Sequence, residues 1–294
     1  MRRRFLFFFF VVNLFLIACG RKELRNDLQQ LYLQGEIKQI RTSSYTVLEK
    51  FDQIEKKSKT TERENTLLTF NEKGNQVEKT LFSPTDKPTR IYTYLYDMKG
   101  NRALVNETLD DGTLKKRYIY TYDDKGNRTE INTYSGDGIF LQKEKRTYDE
   151  KQNPLEEDTY NGKGELEQKQ INIYDEKGLC IESNLYTPSE ELKNRYTYSY
   201  DENKNMLERK KYDKNGKILA NHTYTYSFDK RKNWTQRIEY LNGKAIYLTE
   251  REIEYGVGAK EQRQPVAQMD TAPQKKFNYT VSVKNDWTAQ ELKG

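Results

Sequence analysis

A short turn-like pattern recurs every 26 residues, and it constrains the fold more than any other feature of the chain. The acidic or amide residues that open these turns are Asn71, Asp97, Asp123, Asp149, Asp175 and Asp201, and Asp229 follows after 28 residues. Fixed spacing of this kind is typical of chains that stack one supersecondary unit many times. The repeat therefore predicts near-identical units packed side by side.

Each unit has the pattern of a β-hairpin. In "YIYTYDDKGN", which begins at Tyr118, aromatic residues alternate with other residues up to the turn, as a strand requires. A type I turn followed by a residue in the left-handed region favours glycine at that residue. The glycines at this position are Gly74, Gly100, Gly126 and Gly178. The Asp or Asn that opens the turn can accept hydrogen bonds from backbone amides further along it.

Three of the turns lack this glycine. Gln152, Lys204 and Lys232 replace it, and an asparagine follows each of them. Asparagine tolerates the left-handed region better than most residues. We therefore expect Asn153, Asn205 and Asn233 to adopt that conformation.

Aromatic residues occur directly before the turn and again eleven residues after its first residue. We expect them to share one face of the sheet and to form ladders, in which each cross-strand pair contributes about 0.2–1 kcal/mol. The residues of this predicted aromatic ladder are Tyr96, Tyr122, Tyr134, Tyr148, Tyr160, Tyr174, Tyr186, Tyr200, Tyr212 and Tyr240.

Composition favours thin layers over a thick core. Only 34% of the residues are hydrophobic, 33% are charged, and 23 residues are tyrosines. The prediction is an all-β repeat domain over residues 35–256, formed by an elongated stack of antiparallel β-hairpins from the 26-residue tandem repeats. We expect an open twisted or spiralling sheet, although strands of this length also allow a sheet that closes around a cavity.

The N-terminus has the pattern of an export signal. Arg2, Arg3 and Arg4 precede an apolar run that ends at Ala18 and is too short for a comfortable membrane span. The residues "LIAC" that end at Cys19 resemble the bacterial lipoprotein box, which implies cleavage before Cys19 and its acylation, for example with palmitate. The alternative is an ordinary secretory signal with a chance cysteine. The predicted regions are a signal peptide at 1–18, a lipid anchor and tether at 19–34, and a polar linker and C-terminal tail at 257–294.

Charge gives no support for a nucleic-acid partner. Loss of the three N-terminal arginines leaves 48 basic and 45 acidic side chains, a net charge of +3, and the two signs are mixed along the chain. The expected partners are the membrane, through lipidated Cys19, and an envelope glycan or surface protein.

The repeat motif resembles a known family. "Y-x-Y-D-x-x-G-N" is similar to the tyrosine-aspartate (YD) repeats of the RHS superfamily, and the whole unit resembles repeat lipoproteins common in Bacteroidetes. The resemblance covers residues 35 to about 256 and implies a repeat architecture rather than an activity. RHS shells that enclose toxins are longer and end in a recognisable core and a toxin domain; neither is visible in this sequence, so the resemblance does not imply a shell.

The sequence contains no recognisable catalytic set. His222 is the only histidine and Cys180 is the only cysteine besides Cys19, so a usual zinc site or Cys–His pair cannot form. Glutamates also recur with the repeat, and we expect them to pair with basic residues on neighbouring strands; these are Glu78, Glu130, Glu156, Glu182 and Glu208. The sequence therefore predicts no enzyme activity, no metal and no cofactor.

These observations favour a non-catalytic lipoprotein of the cell envelope, held at the outer membrane of a Gram-negative bacterium. Its repeat domain would act as a surface binding or spacing platform for glycan or protein, since aromatic faces stack on ligands and polar groups orient them. The alternative is a toxin-related role, as an RHS shell fragment or a toxin-neutralising repeat protein.

Overall fold

The computed structural model describes residues 26–51 and 53–256, which form one short helix and seventeen strands. Cys19 and the segment 257–294 lie outside the described residues. The elements are α1 (Asp27–Gln30), β1 (Ile37–Lys50), β2 (Gln53–Lys59), β3 (Thr66–Phe70), β4 (Gln76–Phe82), β5 (Pro88–Tyr96), β6 (Arg102–Leu109), β7 (Leu114–Tyr122), β8 (Arg128–Ser135), β9 (Phe140–Tyr148), β10 (Pro154–Asn161), β11 (Leu166–Tyr174), β12 (Cys180–Tyr186), β13 (Leu192–Tyr200), β14 (Met206–Tyr212), β15 (Ile218–Phe228), β16 (Trp234–Leu241) and β17 (Lys244–Tyr255).

The strands form one antiparallel sheet that closes on itself. The predicted all-β antiparallel class is confirmed, whereas the prediction of an open or spiralling sheet is wrong. Strand β1 joins the two ends of the chain of hairpins, since Thr42 pairs with Thr66 of β3 on one side and with Arg251 of β17 on the other. The closed barrel has sixteen strands, β1 and β3 to β17. Closure gives partners to backbone groups that an open sheet would leave unpaired at its edges.

Strand β2 lies outside this ring. The last residues of β1, Val47–Lys50, pair with β2 and extend the strand beyond its contact with β17. Phe51 stands at the tip of this hairpin with a φ of 48° and 98% of its surface exposed. The β1–β2 hairpin is therefore an extension at one end of the barrel.

The turn chemistry is the same in successive units. At the turn between β5 and β6, the Gly100 N–H donates to the carbonyl of Asp97, and Gly100 has a φ of +84°. The Asp97 Oδ1 accepts from the backbone N–H of Lys99 at 2.9 Å and of Asn101 at 2.8 Å. We call the end of the barrel that holds these turns the first mouth.

The expectation about the glycine-free turns is wrong. Gln152, Lys204 and Lys232 themselves have φ values of 65°, 69° and 65°, so the left-handed residue stays at the position that glycine occupies elsewhere. The asparagine that follows has another role, as Asn205 shows: its Nδ2 donates to Asp201 Oδ2 at 2.9 Å. The asparagine can make this hydrogen bond because it occupies the position directly after the left-handed residue.

The two sets of aromatic residues lie on opposite faces, contrary to the expectation. Tyr122 pairs with Arg128 and Tyr120 pairs with Ile131, so one residue is inserted between these pairs. Such a bulge inverts the alternation of side chains along the rest of the strand. Tyr134 consequently pairs with Arg117, on the face opposite Tyr120.

Burial distinguishes the two faces of the closed sheet. Val105 pairs with Tyr94 and is only 3% exposed, whereas Leu95, on the opposite face of the same hairpin, is 55% exposed. We call the buried, concave face the inner wall and the other the outer face. Tyrosines that precede the turns lie on the inner wall, and those eleven residues later lie on the outer face.

Residues 26–34 cross the first mouth before β1 begins. The Leu28 N–H donates to the Gly74 carbonyl, and the Gln34 N–H donates to Asn233 Oδ1 at 2.8 Å. Leu28 also belongs to the main apolar cluster of the described residues, with Ile37, Ile40 and Phe70. This N-terminal segment therefore connects separate turns of the same mouth.

Within the part of the chain that the structure describes, no helix is long and apolar enough to cross a membrane.

Candidate functional site

Six inner-wall tyrosines at the first mouth make the same hydrogen bond. Each hydroxyl donates to the carbonyl of the residue 20 positions earlier, which begins a neighbouring strand. The pairs are Tyr96–Gln76 at 2.7 Å, Tyr122–Arg102 at 2.8 Å, Tyr148–Arg128 at 2.6 Å, Tyr174–Pro154 at 2.9 Å, Tyr200–Cys180 at 2.9 Å and Tyr226–Met206 at 2.8 Å.

These phenols replace backbone pairing that is missing between units. Backbone pairing between β12 and β13 begins only at Glu182, which leaves the Cys180 carbonyl beyond the ladder. The Tyr200 hydroxyl supplies the donor. The last unit has 28 residues instead of 26, and Phe228 rather than a tyrosine precedes its turn. Tyr226 nevertheless bonds to the residue 20 positions earlier, so the two extra residues follow Tyr226. These six tyrosines thus have a structural role at the inner wall.

Burial strengthens the preference of these phenols for the protonated form. Desolvation raises the pKa of Tyr122 and Tyr200 to about 12 in each case. A phenol with such a pKa remains a hydrogen-bond donor across the physiological range. The inner wall is therefore lined by neutral, donating aromatic groups.

Arginines face these tyrosines, a feature that the sequence analysis missed. Arg102 pairs directly with Tyr96, and Arg128 pairs with Tyr122, because the residue five positions after each turn Asp lies opposite the residue before it. The five-residue spacing between each of these two arginines and the turn Asp before it could have predicted this pairing from the sequence. Together with Arg146, these arginines line a cavity of about 390 Å³ at the first mouth.

The N-terminal segment places one carboxylate in this first cavity. Asp27 Oδ1 accepts from Arg102 at 3.1 Å, and Asp27 Oδ2 accepts from the Gln76 N–H at 2.8 Å. The Tyr96 hydroxyl lies 2.5 Å from the same Oδ2. Arg102 and Tyr96 thus already hold an anionic group that comes from the chain itself.

A second cavity of about 680 Å³ lies at another part of the first mouth. Tyr226, Trp234, Arg237 and Arg251 line it from the barrel, and residues 31–34 line it from the N-terminal segment. The Tyr226 and Trp234 rings are 6.0 Å apart in an edge-to-face arrangement. This cavity combines aromatic surface with two guanidinium groups.

His222, the only histidine, belongs to an ion-paired cluster on the inner wall. Its Nδ1 lies 2.8 Å from Glu239 Oε1, and Arg63 donates to both Glu239 oxygens at 2.9 and 2.7 Å. Burial alone would raise the pKa of Glu239, but the hydrogen bonds and charges of Arg63 and His222 outweigh burial and lower it. Arg63 reaches this cluster from the segment that connects β2 to β3.

The outer face carries the repeated glutamates in rows with basic residues. Glu156 pairs with Lys169 at 3.2 Å and Glu182 with Arg195 at 3.3 Å, both across neighbouring strands. Glu208 instead pairs with Lys210 of its own strand at 2.7 Å. These are partly exposed structural pairs on several equivalent units.

The remaining predicted residues are distributed along the barrel. The turn residues Asn71, Gly74, Asp97, Gly100, Asp123, Gly126, Asp149, Asp175, Gly178, Asp201 and Asp229 all lie at the first mouth. Tyr134, Tyr160, Tyr186, Tyr212 and Tyr240 are not brought together with the inner-wall tyrosines. In residues 26–51 and 53–256, no group of three or more His, Cys, Asp or Glu side chains could hold a metal ion.

The fold and its mouth thus define a closed antiparallel barrel with a tyrosine- and arginine-lined inner wall. No family model matches the sequence, and no curated protein matches it. Among solved structures, a porin-like protein from Bacteroides uniformis is 12% identical, with a TM-score of 0.48, over 74% of this chain and 96% of that chain. A porin-like protein from Bacteroides vulgatus is 11% identical, with a TM-score of 0.34, over 76% of this chain and 100% of that chain.

A toxin complex, TcdB2–TccC3–Cdc42, also resembles part of the chain. Its identity is 16% and its TM-score is 0.30, over 70% of this chain but only 11% of that chain. All of these likenesses are remote, and the architecture described above follows from the strand pairing of this chain itself.

Proposed function

We propose that this protein is a non-catalytic, lipid-anchored lipoprotein of the cell envelope, at the outer membrane, whose repeat barrel binds a glycan at the first mouth. The observation that carries the proposal is the composition of the two cavities there, in which aromatic side chains and arginines line the same space. Aromatic rings stack on sugar faces, and guanidinium and phenol groups orient them. The resemblance to YD-repeat lipoproteins fits the lipid anchor but does not bear on the ligand.

The outer face supports attachment by lipid rather than burial of the barrel in lipid. Charged residues lie in the middle of the strands, as Glu156, Lys169 and Glu182 show. Basic residues on a lipid-facing strand cost about 2–4 kcal/mol each near the bilayer midplane. A water-surrounded barrel on an acylated Cys19 avoids this cost.

The geometry of the N-terminus supports an orientation. Asn26 lies at the first mouth, seven residues after Cys19, because its side chain donates to the Lys73 carbonyl at 2.8 Å. A tether of that length would direct the first mouth toward the membrane and the β1–β2 hairpin away from it. Both cavities would then lie close to the envelope surface.

A glycan array and a pull-down with the chain from residue 20 onward test the proposal. We expect retention of envelope polysaccharides, and we expect it to weaken when Tyr226 is changed to alanine but not when Tyr212 on the outer face is. Failure to retain any polysaccharide would refute the proposal. Capture of a toxin domain instead would favour the toxin-related alternative.

A further inference from the structure

Two arginines of the second cavity lie side by side on the inner wall. Arg237 of β16 pairs with Thr249 of β17, and Arg251 follows two residues later on the same face. Both side chains line the cavity of about 680 Å³. The strand register therefore fixes two guanidinium groups next to each other.

Aromatic rings hold both guanidinium groups in place. The Arg251 Cζ lies 3.4 Å from the centroid of the Trp234 ring, and the Arg237 Cζ lies 5.4 Å from it. Arg237 also lies 5.5 Å from the ring of Tyr224. Such contacts orient a guanidinium plane but do not neutralise its charge.

Neither arginine has an acidic partner among the described residues. Three other inner-wall arginines have one, since Arg63 pairs with Glu239, Arg102 with Asp27, and Arg146 with Glu157. The Nε atoms of Arg237 and Arg251 are buried without a hydrogen-bond partner among the described residues, as are those of other inner-wall arginines such as Arg102 and Arg128. Buried donors of this kind are costly unless something accepts from them.

The charge of Arg251 is poorly compensated within the barrel. Desolvation, followed by the neighbouring charge of Arg237, lowers the pKa of Arg251 to about 9. Among the residues that the structure describes, Glu202 is the one acidic side chain that lines this cavity, against the basic side chains Lys204, Arg231, Lys232, Arg237 and Arg251. The cavity therefore has a large excess of positive charge.

We propose that Arg237 and Arg251 form a binding site for the oxyanion of a small soluble ligand, a carboxylate or a phosphate group. Two adjacent guanidinium groups can donate several parallel hydrogen bonds to such a group, a geometry that an ammonium cannot reproduce. The unpartnered Nε donors and the absence of a carboxylate on either group leave this role open to a ligand. The site deepens the proposed glycan-binding function, on which it rests, by assigning the ligand a negative charge.

The N-terminal segment completes this oxyanion site. Leu31, Tyr32 and Gln34 line the cavity opposite the arginines. The Gln34 N–H and carbonyl are both bonded to the Asn233 side chain, at 2.8 Å each. A bound anion would therefore be enclosed between the barrel wall and the segment that leads to Cys19.

Thermal unfolding of the full chain, purified in detergent, tests the site with three probes: inorganic phosphate, glucuronate and uncharged glucose. We expect phosphate or glucuronate to raise Tm. Arg251→Gln and Arg237→Gln should each weaken anion binding at least about tenfold, the loss expected for a charge-assisted hydrogen bond. Arg251→Lys should also weaken it, because the charge remains but the planar fork is lost.

Arg195→Gln is the matched control, since it removes the same charge from the outer face. It should leave anion binding unchanged. Arg251→Gln should in addition raise Tm in the absence of any anion, because it removes a repulsive pair. A structural role for the arginines would lower Tm instead.

Three outcomes would overturn the oxyanion site. They are the lack of any Tm shift with phosphate and glucuronate, equal anion binding by Arg251→Gln and the unaltered chain, and failure of both glutamine variants to fold. Glycan retention on the array without any anion effect would refute this site but leave the proposed glycan-binding function intact. Anion binding without glycan retention would support this site but refute the proposed glycan-binding function.

Discussion

At the scale of the residue, the tyrosine before each turn is explained by one hydrogen bond. A strand that follows a bulged turn leaves the carbonyl of its first residue without a backbone partner, and a tyrosine hydroxyl of the next unit donates to that carbonyl. Tyr200 shows this with Cys180 at 2.9 Å. The ring also covers the inner wall, so one side chain serves both packing and hydrogen bonding.

Removal of a single hydroxyl should therefore have a measurable effect. We expect Tyr200→Phe to lower the free energy of unfolding by about 1 kcal/mol, because a half-buried carbonyl loses its donor. Tyr212→Phe is the control, since its ring packs under Arg195 at 4.3 Å and its hydroxyl has no partner among the described residues. Urea denaturation of both variants measures the difference. Equal stabilities would show that the phenol bond contributes nothing.

The second residue-scale prediction concerns acid stability. The pKa of Glu239 is lower in the folded chain than its ordinary value of 4.5, so its ionised form stabilises the fold above that pH. This contribution should be lost as the pH falls through 4.5 toward the lowered pKa of the folded state. We expect Glu239→Gln to lower stability at neutral pH by about 1–3 kcal/mol, because Arg63 and His222 lose their acceptor.

Tm measured from pH 7 to pH 3 checks the Glu239 prediction. The Tm of Glu239→Gln should depend less on pH than that of the unaltered chain. The difference in Tm between the two should shrink as the pH falls. A deficit that is constant over this range would contradict the assignment of the lowered pKa to the folded state.

At the scale of the element, each hairpin is specified by the backbone of its turn. The left-handed position is filled by glycine in some units and by Gln152, Lys204 or Lys232 in others. Non-glycine residues in this region cost about 1–2 kcal/mol. The glycine-free turns are therefore tolerated because the Asp and Asn side chains hold the loop.

Replacing glycine at the left-handed position, and introducing glycine there, should change the free energy of unfolding in opposite directions. Gly100→Ala should lower the free energy of unfolding by about 1 kcal/mol, and Gln152→Gly should raise it by a similar amount. A Cβ at Gly100 would meet nothing within 4 Å, so only the backbone conformation is tested. Chemical denaturation provides the values. The same sign for both substitutions would refute the interpretation.

At the scale of the whole molecule, closure determines which backbone groups are protected. Strand β1 pairs along both sides, so β1 and β17 are interior strands of a ring. We expect their amides to exchange with deuterium as slowly as those of β7 and β8. Hydrogen-exchange mass spectrometry of peptides that cover 39–46 and 247–255 measures this. Fast exchange there, with slow exchange in the middle units, would indicate an open sheet.

Closure also explains why the inner wall differs from the outer face. Arginines such as Arg102 and Arg128 lie opposite tyrosines of their own hairpins, but they become enclosed only because the sheet curves around them. In a flat sheet the same side chains would be exposed. The cavities at the first mouth are thus products of the ring and of the N-terminal segment that crosses it.

The sequence by itself determined the features that depend on near neighbours. The alternation of aromatic and other residues, together with the turn that begins with Asp and ends with Asn, specifies antiparallel β-strands. The hydrogen bonds of this turn join residues at most four positions apart, as in Asp97 and Asn101, so a short stretch of sequence is enough to predict it. The recurrent tyrosines and glutamates were likewise visible in the repeat.

Only the tertiary structure decided closure, the separation of the two tyrosine sets and the grouping of Arg237 with Arg251. Closure depends on the twist of the sheet, summed over sixteen strands, and on the pairing of β1 with β17. No single repeat unit encodes either of them. The faces depend on a one-residue bulge, and one residue is enough to invert a strand. Closure of the sheet, rather than local preference, therefore enclosed the charged groups on the inner wall.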